Sequence, residues 1–303
     1  MKKRKNKGRD ISGVLLLDKP SGITSNDALQ KVKRLFYAQK AGHTGSLDPI
    51  ATGMLPICFG EATKFSQYLL DSNKTYIAEC KLGVKTTTGD SEGDVLSENI
   101  VPKLNERQIE KVLAKFRADI EQVPSMYSAL KHNGTPLYKL AREGITVDRP
   151  ARKVSIYELK LLNISEDILT LKVKCSKGTY IRSLVEDMGE ELTCGAHVIK
   201  LRRLNVGGYS EDAMIPMEKL QVLYDEDKYQ LDNLLLPINS IFDSWQEVKL
   251  SEAAFYYVKQ GQSVIVPYAP ESGQVVLRLK NGDFIGVGEV LSDGKVAPRR
   301  LLK

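Results

Sequence analysis

The chain carries few of the side chains that announce metal, redox or nucleotide chemistry. Its four cysteines, Cys58, Cys80, Cys175 and Cys194, stand far apart among apolar neighbours, which excludes a zinc site or a disulfide frame and predicts reduced core thiols of a cytoplasmic protein. The three histidines, His43, His132 and His197, have no metal-ligand spacing. There is no Walker A loop, no G-x-G-x-x-G run and no Ser-His-Asp signature, so no cofactor and no metal is expected. No apolar run approaches the length of a membrane span. Val14-Leu15-Leu16-Leu17 is stopped at once by Asp18 and Lys19 and makes no signal-peptide core. Excess charge is scarce too: the formal net charge is +6, but Lys2, Lys3, Arg4, Lys5, Lys7 and Arg9 supply all of it, and the remaining basic residues cancel the 38 acidic ones. A polyanion site in the body must therefore come from local clustering.

What is present is an ordinary soluble composition, 42% hydrophobic and 27% charged over 303 residues, long enough for a large unit and a smaller one. Residues 1–10 read as a basic flexible tail. Residues 13–17 form an apolar strand candidate, and Thr24, Ser25 or Asn26 can cap a helix in which Ala28, Leu29, Val32, Leu35 and Phe36 recur at helical spacing. Residues 61–70 suggest a short helix, and 75–84 a strand with Tyr76, Ala78, Cys80 and Leu82 on one side. Residues 86–94 are too polar to be anything but a loop. An amphipathic helix follows over 105–117, burying Ile109, Val112, Leu113 and Phe116. Residues 124–153 are basic and bear Tyr127, His132 and Tyr138, a composition suited to a mobile arm on a phosphate backbone or to a solvated surface. Strands are predicted over 168–175 and 196–206, with a strand passing through Gly178 into a helix that runs to about Leu192. Residues 211–232 turn acidic and helical. After a boundary near Pro237 and Asp243-Ser244, a helix at 251–260, a strand at 263–267 and two strands flanking Asn281-Gly282 suggest a small β-barrel.

One stretch stands out. Residues 42–56 hold three glycines, two prolines and a single carboxylate, Asp48, whose backbone Pro49 pushes toward extended geometry. The other candidates are Tyr76 on its strand and Tyr180 with Arg182, which would share a face if the chain there were extended. An arginine beside an aspartate keeps it ionised and oriented, and such a carboxylate serves as nucleophile or base. A tyrosine offers a stacking surface and a proton carrier. Composition goes no further.

Residues 42–49, Gly-His-Thr-Gly-Ser-Leu-Asp-Pro, followed by Ala-Thr-Gly-Met-Leu-Pro at 51–56, resemble the central motif of the TruB family, the bacterial tRNA pseudouridine-55 synthases. The opening motif of that family is similar to Asp18-Lys19-Pro20-Ser21-Gly22-Ile23-Thr24-Ser25. Its tyrosine strand resembles Lys74-Thr75-Tyr76, its third motif residues 176–184, and the start of its tRNA-gripping arm residues 124–131. In order and spacing these cover roughly residues 11–204. Synthases of ribosomal RNA typically place an arginine before the catalytic Leu-Asp, where this chain has Ser46.

The resemblance implies an α+β pseudouridine synthase fold over 11–245, with a central mixed or antiparallel sheet, the arm at 124–153, and a small PUA-like β-barrel at 246–303. It implies Asp48, Tyr76 and Arg182 as catalytic residues: the aspartate attacks the target nucleoside, the tyrosine stacks on the flipped uracil and helps remove the C5 proton, and the arginine pairs with the aspartate. It implies His43, Tyr180, Leu201, Asp90, Lys19, Lys131 and Arg142 as substrate-binding. The partner implied is the T-arm of tRNA, taken by a monomer that needs no protein partner. A base inside a folded T-arm must be extruded to be reached, isomerisation needs no external reactant, and basic segments in the arm and at 200–203 suit phosphates. A non-catalytic tRNA-folding protein is the rival reading, and the two roles can coexist.

Overall fold

In the computed structural model, residues 8–302 are described, so the basic tail expected over 1–10 lies largely outside the described residues. Arg9 is docked: its N–H donates to the Tyr37 carbonyl, its carbonyl accepts from Gln39, and its guanidinium pairs with Asp232. In chain order the elements are strand β1 (Gly13–Lys19), helix α1 (Ser25–Leu35), β2 (Ala41–His43), β3 (Thr52–Phe59), α2 (Ser66–Leu70), β4 (Lys74–Leu82), β5 (Val84–Thr86) and β6 (Val95–Glu98). There follow α3 (Glu106–Phe116), β7 (Asp119–Gln122), β8 (Lys131–His132), β9 (Thr135–Pro136), α4 (Leu137–Arg142), β10 (Arg152–Ser165), β11 (Ile168–Cys175), α5 (Ile181–Glu191) and β12 (Ala196–Val206). The chain ends with β13 (Ile215–Pro216), α6 (Met217–Asp227), β14 (Gln246–Leu250), α7 (Glu252–Lys259), β15 (Gly273–Leu279), β16 (Phe284–Val290) and β17 (Val296–Leu301).

A nine-stranded sheet organises the larger unit, in the order β13-β1-β3-β12-β4-β11-β10-β7, with β2 also on β3. It is mixed: β1 with β13 and β12 with β3 run parallel, the other pairs antiparallel. The unbroken apolar run of β1 is explained by burial on both faces. Leu15 and Leu17 join the main core with α1, while Val14 and Leu16 join a second cluster with Met54 and Cys58. The α1 helix begins where a capping box closes it: Thr24 Oγ1 accepts from the Asp27 N–H, and the Asp27 carboxylate accepts from the Thr24 N–H.

Two features of this sheet place the site. On one side of β3, β12 pairs only with Thr52 and Gly53, and β2 only with Ile57, Cys58 and Phe59. The sheet therefore opens beside Met54–Pro56, and the loop 44–51 leaves β2 and returns into β3 across that opening. The carbonyls freed there are taken up by other donors, as buried backbone must be: the Thr44 N–H donates to Pro56 O at 3.0 Å and Arg203 Nε to Met54 O at 2.7 Å. The rigid loop is thus shorter than the motif 42–56, because 52–56 belongs to β3.

Several expectations need correction. The chain between β11 and α5 is a turn, so Tyr180 is the N-cap residue of α5 and Arg182 its second helical residue. They do not share a face of extended chain. The predicted strand at 263–267 is absent apart from a single bridge, Val264 to Val296. The C-terminal unit is a PUA-like four-stranded sheet, β14-β15-β16-β17, whose first and last strands are not paired with each other. Aromatic rings join it to the larger unit: Phe242 lies 5.6 Å from Phe65, 5.2 Å from Tyr68 and 4.9 Å from Trp245, and Phe284 lies 5.7 Å from Phe65.

Candidate active site

Asp48 is held by its neighbours rather than by its own side chain. Ser25 Oγ accepts from the Leu47 N–H at 2.7 Å and donates to Leu47 O at 3.0 Å, a reciprocal clamp made by a buried hydroxyl. Pro49 O accepts from the Gly22 N–H at 2.9 Å, and the Ala51 N–H closes the turn onto Asp48 O at 3.0 Å. Beneath the loop Lys19 is fully buried, its ammonium donating to Pro20 O and Ile23 O at 2.8 Å and to Pro49 O at 3.4 Å. Burial lowers its pKa to about 8, with Asp48 and Glu92 acting against the fall. Lys19 thus braces the loop from within. Arg203 holds the entry side, donating from Nη2 to Gly45 O at 3.0 Å.

The carboxylate so aimed meets Arg182, whose Nε lies 3.0 Å from Asp48 Oδ2. The arginine side chain is only 5% exposed, and each of its nitrogens is occupied. Nη1 donates to Thr88 O at 2.8 Å and lies 3.5 Å from Asp90 Oδ2, and Nη2 donates to Tyr127 O at 2.9 Å. Asp90 is fixed in turn by Thr88 Oγ1 and the Glu92 N–H, and the loop that bears it bridges to Val198 of β12. The Asp48 side chain is 37% exposed, so the acid is walled by protein yet open on one side. Burial pushes its carboxyl above the usual range, Arg182 pulls it back, and Asp90 raises it further.

Tyr76 is buried on β4, where burial pushes its phenol up and the charge of the Arg203 guanidinium opposes the rise. Leu201, two residues earlier on β12, is buried in the same core cluster as Leu47, Ala51 and Tyr76. His43 ends β2, and burial together with the Arg203 charge lowers its pKa; its Nδ1 is buried without a hydrogen-bond partner. Tyr180 is fixed through its backbone, its N–H donating to Gln122 Oε1 at 3.1 Å and its carbonyl accepting from Gln122 Nε2 at 3.3 Å. Lys131 and Arg142 are exposed on the arm, with the Arg142 guanidinium 5.7 Å from the Tyr138 ring centre.

Asp48, Arg182 and Asp90 are therefore one bonded network, with Tyr76 and Arg203 on the adjoining strands. Sequence reasoning missed Arg203, Ser25 and Gln122. Ser25 reads as one of three possible caps, but Thr24 takes that role and frees it for Leu47. Arg203 sits in a basic run expected to face phosphates, yet it is 1% exposed. Of its neighbours, Arg202 pairs with Asp18 and Lys200 with Glu79. The pairing register alone carries the missing signal, since Arg203 lies opposite Tyr76 on one side and Gly53 on the other.

An acid and its arginine, set in the opening of a mixed sheet with a tyrosine beside them and a small sheet domain attached, define a pseudouridine synthase fold. Comparison with known proteins agrees. Residues 33–181 match the TruB family pseudouridylate synthase N-terminal domain, 182–243 the tRNA pseudouridylate synthase B C-terminal domain, and 247–302 the C-terminal domain of pseudouridine synthase II TruB. The tRNA pseudouridine synthase B of Coxiella burnetii (strain RSA 493 / Nine Mile phase I) is 57% identical over 296 residues, spanning 97% of this chain and 96% of its own. That of Tolumonas auensis (strain DSM 9187 / NBRC 110442 / TA 4) is 56% identical over 310 residues, spanning 100% and 95%. Among solved structures, a chain of a Cbf5-Nop10-Gar1 complex superposes with a TM-score of 0.74 at 25% identity, covering 96% of this chain and 84% of that one. The chain belongs to the TruB family of pseudouridylate synthases. It is an isomerase, one that rejoins uracil to its ribose through a different ring atom.

Proposed function

We propose that the protein converts uridine-55 in the T-arm of tRNA to pseudouridine, acting as a cytoplasmic monomer without a protein partner. The observation that carries the reading is the Asp48–Arg182–Asp90 network on a loop tied at every turn. It leaves one carboxylate ionisable, oriented and open to an incoming group. A uridine stacked in a folded T-arm is out of reach, so the enzyme extrudes it at a cost of a few kcal/mol. Asp48 then attacks the nucleoside, and the glycosidic bond to N1 breaks with its electron pair staying on uracil. The freed uracil turns, C5 bonds to the ribose carbon, and the bond to Asp48 breaks and regenerates the carboxylate. The C5 proton leaves with Tyr76 as acceptor, and N1 takes up a proton. His43, Tyr180 and Leu201 line the space for the base, and Asp90 holds Arg182. The arm with Lys131 and Arg142 supplies phosphate contacts, and remodelling of tRNA is a second use of the same grip.

The support for tRNA as substrate is the name and near-complete coverage of the relatives. The test is incubation of pure protein with an unmodified tRNA transcript and no added cofactor, followed by mapping of pseudouridine. Product confined to position 55 is expected; product elsewhere, or none, overturns the assignment.

A further inference from the structure

Arg203 is a buried cation with an unusual set of neighbours. It is 1% exposed, and among the described residues no carboxylate forms an ion pair with it. Removing a guanidinium from water costs several kcal/mol unless good geometry offsets it. Here the offset comes from neutral oxygens: Nε donates to Met54 O at 2.7 Å and Nη2 to Gly45 O at 3.0 Å. The main chain is committed as well. Gly53 pairs with Arg203 across the parallel strands at positive φ (98°), and an added Cβ there would come within 2.2 Å of Arg203 O. On its other edge β12 sets Arg203 opposite Tyr76 in the antiparallel register.

We infer that Arg203 is a positioning residue for the isomerisation: its donors hold Met54 and the loop bearing Asp48, and its charge lies opposite Tyr76 across the strand pair. The inference rests on the reading of Tyr76 as the acceptor of the C5 proton. A neutral phenol is a poor acceptor, so its own proton must first leave to water. A positive charge fixed beside the oxygen favours that loss. In the step itself the C5–H bond breaks, the proton goes to the phenolate oxygen, and the bonding electron pair returns to the uracil ring. Until that transfer the phenolate is the counter-ion of the buried cation, which has no carboxylate of its own.

The surroundings agree. Tyr76 is faced by Arg203, Cys175 and Asp48. The positive field of Arg203 also reaches Lys19, His43, Lys74 and Cys175, and at Tyr76 it opposes the burial that holds the phenol above its usual range. Lys19 and Lys74 spend their ammoniums on backbone carbonyls, which leaves Arg203 as the cation set opposite Tyr76.

The test uses Arg203→Gln and Arg203→Lys with unmodified tRNA transcript at saturation, measuring single-turnover rates from pH 6 to pH 9 together with tRNA affinity and melting temperature. For Arg203→Gln the rate is expected to fall by about 10²-fold near neutral pH, with affinity unchanged. Part of the loss, about tenfold, should return as the pH rises and the phenol ionises without help. Arg203→Lys should keep the wild-type pH profile at a lower rate. Profiles parallel to wild type for Arg203→Gln, or a loss confined to tRNA affinity, would overturn the inference. If Arg203→Gln does not fold, Arg203→Lys decides: a profile shifted to higher pH in spite of its charge contradicts the role. An inactive wild-type protein would instead sink the reading of the site as a synthase.

Discussion

At the residue scale the decisive object is a carboxylate whose environment pulls in two directions. Burial raises the Asp48 pKa and Arg182 lowers it, with burial the larger effect. Above the ordinary value of 3.8 and up to its raised one, the folded protein holds more protons at this site than the unfolded chain. Stability at Asp48 therefore falls as pH rises through that window, while on the proposed role of Asp48 the reaction needs the ionised carboxylate. The acid limb of the single-turnover rate should lie above pH 3.8 and move higher in Arg182→Leu; a limb at or below the ordinary aspartate value would contradict the balance described. For the same reason Asp48→Asn should melt no lower than wild type at pH 7, because it removes a carboxyl whose charged form burial disfavours. A clear fall in melting temperature would show that the ion pair stabilises more than burial costs.

At the scale of elements, the loop 44–51 gains its rigidity from side chains that sequence presents as something else. Its glycines, prolines and lone acid are legible as a constrained stretch, and the motif marks the acid. What ties the loop down is not: Ser25 comes from the first turn of α1, Lys19 from the end of β1 and Arg203 from β12, each brought in by long-range pairing that no local pattern reveals. The same holds for Tyr180 and Arg182, where local pattern suggests extended chain but helix α5 starts at Ile181. Strands with clear alternation, β4 and β11, lie where expected, whereas β14 and β17 are short edge strands without a strong pattern of their own. Ser25→Ala tests the clamp. It removes both bonds to Leu47 and leaves a buried N–H unpaired, so about 1–3 kcal/mol of stability should be lost. The single-turnover rate should drop while tRNA affinity holds, and an unchanged rate would show that the loop keeps its aim without Ser25.

At the scale of the whole molecule, the two units share the aromatic cluster of Phe65, Tyr68, Phe242, Trp245 and Phe284, in which Phe242 is 2% exposed. Truncating such a ring costs about 3–5 kcal/mol through lost burial and the cavity left behind. Phe242→Ala should lower the melting temperature and expose the C-terminal unit to proteolysis, whereas intact resistance would mean the joint is held elsewhere. The arm operates at the same scale. Neutralising Lys131, Arg142 and Arg149 should weaken tRNA binding and flatten its salt dependence, by about one unit of slope for each phosphate that no longer meets a cation. An unchanged slope would leave the arm as solvated surface. All of these elements serve the single acid that the opened sheet presents. The most direct measurement is therefore pseudouridine mapping, with parallel affinity measurement, on a tRNA transcript treated with wild type and with Asp48→Asn. Pseudouridine at position 55 with wild type and none with Asp48→Asn, at equal affinity, is the expected result; product formed by Asp48→Asn would contradict the role of Asp48.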